Sequence, residues 1–270
     1  MRIHHLNCGS LCPRGGRLLG AAGWPLSPAP MCCHCLLIEG DDRLILVDAG
    51  LGVEDVNEPR RLGLLFNAMA RPRLEVAETA LRQVVDMGYR PSDVRHIVPT
   101  HLDLDHAGGI CDFPDAAVHV FAAELRAASH RSSFSERSRY RAVQIASVKK
   151  WDAVEEEGES WFGFSAVRGI PGTRDEVLLV PLPGHSRGHC GVAVRRADDW
   201  LLHCGDAYFH HAEVERISAP RPRACVFSSR WCSSTARSAA PIRRGCASSH
   251  APPRARSSSS ARTILPTFSL

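Results

Sequence analysis

Residues 100–109 read Thr-His-Leu-Asp-Leu-Asp-His-Ala-Gly-Gly and place His101, Asp103, Asp105 and His106 within six positions. No other stretch constrains the fold as strongly. Imidazole and carboxylate are ordinary ligands for zinc and also suit iron and manganese. Such residues converge only if the backbone turns sharply where they occur. If Val98–Leu102 runs as a strand, His101 and Asp103 leave its end on one side, because alternate strand residues face the same way. Asp105 and His106 then turn in from the loop. The two glycines that follow permit a tight turn into a helix. A solvated polar loop, or an N-cap with a His beside it, is the plain alternative, but neither accounts for so many ligands at this spacing.

Three further segments extend the pattern. Leu44-Ile45-Leu46-Val47-Asp48-Ala49-Gly50 reads as a strand entering an Asp-x-Gly turn. Pro183-Gly184-His185-Ser186-Arg187-Gly188-His189 carries two histidines, each after a glycine. Leu201-Leu202-His203-Cys204-Gly205-Asp206 reads as a strand delivering a carboxylate.

Taken together, the chain resembles the metallo-β-lactamase fold superfamily over roughly residues 1–215, and most nearly its acyl-homoserine lactonase-like branch. It departs from the His-x-His-x-Asp-His signature at one place, where Asp103 stands for the second His. The resemblance implies an α/β fold, an αββα sandwich with an incomplete or disordered C-terminal part. It implies two divalent metal ions, zinc by default with manganese or iron as alternatives. His101, Asp103 and His185 would hold the first metal. Asp105, His106 and a C-terminal His would hold the second, with Asp206 bridging. A shared hydroxide would attack a carbonyl or phosphoryl centre, and Asp105 would orient it or pass a proton to the leaving group. The expected function is a metal-dependent hydrolase of a small ester or lactone. A mononuclear-iron oxidoreductase of the persulfide dioxygenase kind is the alternative within the fold. Asp103 adds negative charge and a harder ligand than imidazole. His189 is expected to pack within its turn rather than hold metal. In acyl-homoserine lactonases a Tyr three residues after the bridging Asp binds the substrate carbonyl; that position here is Phe209, with Tyr208 before it and His210 and His211 after it.

From about Ile217 the periodic pattern stops. Residues 217–270 contain nine Arg and no Lys, Asp or Glu, and are rich in Ser, Ala and Pro. One reading is a disordered low-complexity tail; Trp231 and three cysteines fit it poorly. The other is a frameshift. With plausible codons, shifting the frame by one base turns Ser257–Leu270 into something like Val-Val-Phe-Cys-Ala-His-Asp-Pro and a few more residues, and Arg223–Gly245 into an amphipathic helix pattern. The organisation expected is thus a metallo-β-lactamase-like domain over residues 1–216 and an aberrant tail over 217–270. As written, the chain would lack its last helix, last strand and last ligand, leaving a catalytically impaired product as a third functional reading.

The net charge of +4 comes from that tail. Without its nine arginines, 24 basic residues face 29 acidic ones, a balance of −5. An acidic body without a basic, aromatic groove argues against nucleic acid as a partner. No apolar run is long enough to span a membrane, and the N-terminus lacks a signal-peptide core. A cytoplasmic protein with a small-molecule substrate is expected. Cys32, Cys33 and Cys35 flank His34 without a second pair at zinc-ribbon spacing, so Met31–Glu39 reads as a strand with small buried thiols. His4, His5, His34, His96 and His119 show no partner pattern and are taken as structural. Residues 55–73 read as a partly helical apolar insertion, most simply a core helix, with a substrate lid or a dimer contact as the alternatives. The basic stretch 124–150 reads as a solvated face.

Overall fold

The computed structural model describes residues 1–15, 24, 26–40, 43–208 and the backbone of residues 260–264. Two compact units divide between Ala153 and Val154. That division falls inside the stretch read from the sequence as one 1–216 domain. Most of the 217–270 tail, and Phe209, His210 and His211, lie outside the described residues.

The first unit is built on a six-stranded sheet in the order β1 (Arg2–Leu11), β2 (Met31–Glu39), β3 (Leu44–Val47), β4 (Val94–Val98), β5 (Ala117–Phe121) and β6 (Trp151–Val154). β1, β2 and β3 pair antiparallel, and β3, β4 and β5 pair parallel. All four residues of β3 are buried, as suits a central strand covered on both faces. Parallel neighbours need crossovers. The first is supplied by α1 (Val53–Asn57), α2 (Leu64–Ala70) and α3 (Ala80–Asp86), the second by the single turn α4 (Leu104–Ala107). After β5 come α5 (Ala122–His130), α6 (Phe134–Arg139) and α7 (Ala142–Ile145). Leu37, Leu46, Val84, Ile97 and Val118 centre the core.

The second unit carries a sheet in the order β12 (Ser260–Ile264), β11 (Asp199–His203), β10 (Cys190–Arg195), β9 (Val177–Pro181), β8 (Phe164–Gly169), β7 (Glu159–Trp161). Its core is Val180, Leu182, Ala193 and Leu202, with Trp161 and Trp200 edge-to-face at 5.3 Å. β12 corrects one expectation. The chain as written does have a last strand, parallel to β11, with His203 opposite Ile264. A partner strand satisfies backbone groups that an open edge would leave unpaired, so ladder formation here does not depend on the shifted frame. β12 contains no His.

Other differences have local causes. β1 runs on to Leu11 past a bulge between Asn7 and Ser10, where Gly9 takes φ +142°. α3 begins at Ala80, where Thr79 caps it by accepting the Arg82 N–H at 3.3 Å. α2 is not a core helix. Leu64 is 85% exposed and Leu65 and Met69 are exposed too. Before α2, Gly63 takes φ +88°; Leu62 is buried against Leu51 and Leu104, and Phe66 packs partly buried on the same cluster. Among the described residues no helix is long and apolar enough to cross a membrane. The eight described cysteines form no disulfide, and Cys33 and Cys35 are buried in β2 as expected.

The histidines set aside as structural do have partners. His4 meets Glu39 at 2.6 Å, and His5 Nδ1 lies 2.9 Å from His34 Nε2, the rings parallel with centroids 5.2 Å apart. His96 Nδ1 lies 2.8 Å from His119 Nε2, and His119 Nδ1 lies 2.7 Å from Asp152. The Asp152 carboxylate only accepts, so the protons order themselves. His119 donates to Asp152, His96 donates to His119, and His96 Nε2 accepts from Arg43. Burial, then the His119 and Arg43 charges, push the His96 pKa down to about 4. An unfolded chain therefore takes up this proton first, near the ordinary His value of 6.5. Stability is lost as pH falls from 6.5 toward 4. Asp112 acts oppositely, because burial raises its pKa to about 6. The comparison that isolates His96 is His96→Gln against wild type, in urea titrations at pH 7 and pH 4.5. The variant is expected to lose less stability across that interval.

Gly50 closes the turn after β3 at φ +62°. A Cβ there would lie 2.1 Å from the Cys8 carbonyl oxygen. Gly50→Ala is expected to destabilise the protein by about 2 kcal/mol or more through clash and strain, read as a fall in melting temperature.

Candidate metal centre

The motif does not leave the end of a strand as expected. β4 stops at Val98, and Pro99–Asp103 is an irregular connection into α4 with a bend at Thr100. Proline at 99 removes a ladder donor, which ends the strand early. His101 and His106 are nonetheless brought together, with ring centroids 4.1 Å apart. His101 offers a donor atom within 4.8 Å of those of Asp103 and of His106. Asp105 sits half-buried on the first turn of α4. Among the described residues it joins no cluster of three donor atoms that close.

Asp48 organises the imidazoles. It follows β3, is fully buried and takes φ +55°, a left-handed conformation that Asp tolerates better than most residues. Its Oδ1 accepts the Thr100 backbone N–H at 2.7 Å, and its Oδ2 lies 2.9 Å from His106 Nδ1. The Thr100 hydroxyl lies 3.0 Å from Oδ2 and 2.9 Å from His101 Nδ1. A carboxylate can only accept. His106 therefore donates from Nδ1, and Thr100 donates to Asp48 while accepting from His101 Nδ1. Both rings are left with Nε2 as the basic nitrogen. This is the outer support that metal-binding histidines receive. The sequence reading recognised the Asp48 turn but assigned it no role.

Asp103 occupies the N-cap position of α4 without capping it. Its carboxylate is gripped by Arg139, whose Nε lies 2.9 Å from Oδ1 and whose Nη2 lies 2.8 Å from Oδ2. Glu124, fully buried, accepts the Leu102 N–H at 2.9 Å. Stretch 124–150 is thus not simply a solvated face: Glu124, Arg139 and Tyr140 turn inward from it. Charge alone hid this, because a lone Arg in a basic stretch carries no periodic mark.

In the second unit, His185 lies in the turn after β9 and Asp206 in the turn after β11. His185 Nε2 is 3.5 Å from Asp206 Oδ2. His189 is buried and joins the two turns. Its Nδ1 donates to the Leu182 carbonyl at 2.9 Å, and its Nε2 accepts the Asp206 N–H at 3.0 Å. It packs within its turn, as expected, and also sets the Asp206 backbone. Tyr208 is buried against the second core, and Cys190 and Cys204 are buried thiols.

The donor chemistry fits a divalent metal. Two ligands of one tetrahedral zinc ion stand about 3.3 Å apart. His101 Nε2 and Asp103 Oδ2 are 3.4 Å apart, and His185 and Asp206 3.5 Å.

A model of the metallo-beta-lactamase superfamily matches residues 30–243. The chain is 47% identical over 215 residues to a probable metallo-hydrolase of Mycobacterium tuberculosis, covering 80% of this chain and 65% of that protein. It therefore spans just under two thirds of that relative's length. It is 27% identical over 175 residues to the N-acyl homoserine lactonase AiiA of Bacillus thuringiensis subsp. kurstaki, covering 64% of this chain and 58% of that one. A B. thuringiensis AiiA variant with N-decanoyl-L-homoserine at its active site superposes with TM-score 0.61 at 23% identity, over 89% of this chain and 90% of that chain. At that identity the likeness is one of fold.

Proposed function

Because this chain belongs to the metallo-beta-lactamase superfamily, we propose that it is a metal-dependent hydrolase of a small ester or lactone. The ligands assigned are His101, Asp103, Asp105, His106, His185 and Asp206. One observation carries the reading: Asp48 holds His106 directly, and His101 through Thr100, as Nδ1–H tautomers. Histidines that merely fill a core have no need of one carboxylate setting both rings alike. When bound, divalent ions, zinc first and manganese or iron as alternatives, supply Lewis acidity and acidify water.

The remaining work falls to the chain. His101 and His106 present basic Nε2 atoms already oriented. Asp105, half-buried beside His106, takes up or releases a proton. His189 keeps Asp206 in place by its bond to the Asp206 N–H. A lactone is favoured over other esters by the lactonases among the relatives. Phe209, where those enzymes would have Tyr, points away from acyl-homoserine lactones as the particular substrate.

The test is hydrolysis of a panel of γ- and δ-lactones, acyl-homoserine lactones and aryl esters by the full chain loaded with zinc or manganese. Turnover abolished by a chelator and restored by metal is expected. Turnover no faster than that of the metal salt alone would overturn the reading.

A further inference from the structure

We infer that Arg139 is a positioning residue for the first metal site, and that Asp103 and Arg139 act as one unit in place of the imidazole that the family pattern puts at position 103. The inference rests on Asp103 being a metal ligand, as proposed above.

The contact is a fork. Arg139 Nε reaches Oδ1 at 2.9 Å and Oδ2 at 3.0 Å, and Nη2 reaches Oδ2 at 2.8 Å. The side chains are 26% and 12% exposed, so solvent screens the pair weakly. Arg presents planar, directed donors, and a two-point grip fixes the carboxylate plane as well as its place. Asp at a helix N-cap ordinarily turns its side chain back onto the first-turn N–H groups. Here the carboxylate faces Arg139, with Oδ2 3.4 Å from His101 Nε2. A carboxylate has about four lone-pair positions, so this grip leaves room for a metal.

Arg139 is itself held. It ends α6, and Tyr140 beside it is buried and hydrogen-bonded to Glu124. Glu124 in turn accepts the Leu102 N–H. The loop before α4 is therefore tied to 124–140 at Leu102 and again at Asp103.

Charge completes the argument. Replacing a neutral imidazole by a carboxylate adds one negative charge to a loop that already holds Asp105 and is bonded to Asp48. A paired guanidinium returns the balance to that of the imidazole. An imidazole at 103 would need no such partner, so the importance of Arg139 should depend on which residue stands there.

The experiment is a double-mutant cycle on the full-length chain. Wild type, Arg139→Met, Asp103→His and the double variant are compared for zinc affinity by chelator competition, with metal-free melting temperature as the check on folding. Arg139→Met is expected to weaken zinc binding about 10- to 100-fold when residue 103 is Asp, and under about threefold when it is His. An equal loss in both backgrounds overturns the inference. So does a gain in affinity on Arg139→Met, which would make the guanidinium a competitor of the metal. If Arg139→Met does not fold, Arg139→Lys decides: it keeps the charge and loses the fork. A loss of about three- to tenfold supports the positioning role, and wild-type affinity overturns it. If wild type binds no zinc, or binds it undiminished after His101→Ala, the ligand assignment itself has failed, and the role of Arg139 falls with it.

Discussion

His101→Ala is expected to lower kcat/KM for the best lactone of the panel by at least about 10³-fold, some 4 kcal/mol of transition-state stabilisation. His101 is fully buried and lies within reach of both Asp103 and His106. Its loss takes away the first of the four proposed ligands in residues 101–106. Bound metal, measured by atomic spectroscopy after desalting, is expected to fall with activity. A cavity also forms, so part of any effect is structural. His101→Gln separates the two, since it fills most of the space and still lacks the imidazole. Activity and metal content unchanged in both variants would remove His101 from the site.

Asp48→Ala carries the largest expected cost in stability. It deprives the Thr100 N–H, the Thr100 hydroxyl and the His106 Nδ1–H of their acceptor in a fully buried place. An orphaned buried donor costs about 1–3 kcal/mol, and alanine tolerates φ +55° less well than Asp. A total near 3–5 kcal/mol follows, read as a lower urea midpoint at unchanged slope. Asp48→Asn separates backbone from tautomer. Asn tolerates the same backbone, but its amide offers one acceptor and one donor group. If the amide nitrogen faces His106, that ring must shift its proton to Nε2, where metal would bind. Metal affinity is then expected to fall about 10- to 100-fold, with a smaller loss of stability than in the alanine variant. If Asp48→Ala cost under 1 kcal/mol, the carboxylate would not be organising these rings.

These two residues illustrate what could be read in advance. His101 was legible because chemistry-bearing residues were dense in one short stretch. Asp48 was legible only as part of a turn, since its partners lie 52 and 58 positions away. Arg139 was not legible: its acceptor is 36 residues distant, and its neighbours suggested solvent. His96, His119 and Asp152 likewise meet only because β4, β5 and β6 are neighbours in one sheet.

Local pattern in the sequence was enough for the family, several strands and the loops that carry the proposed ligands. Each is written in local pattern: apolar runs, glycine turns and close-set ligands. β2 falls where the pattern puts it, the strands read from Leu44 and Leu201 differ at their ends, and Val98–Leu102 is not a strand. The tertiary structure alone decided which protons the histidines carry, what grips Asp103, that the apolar face of α2 is exposed, and that Ser260–Ile264 pairs with β11. Those outcomes depend on groups far apart in the chain. Hydrogen-bond direction and burial are properties of the partner as much as of the residue, and no local pattern encodes the partner.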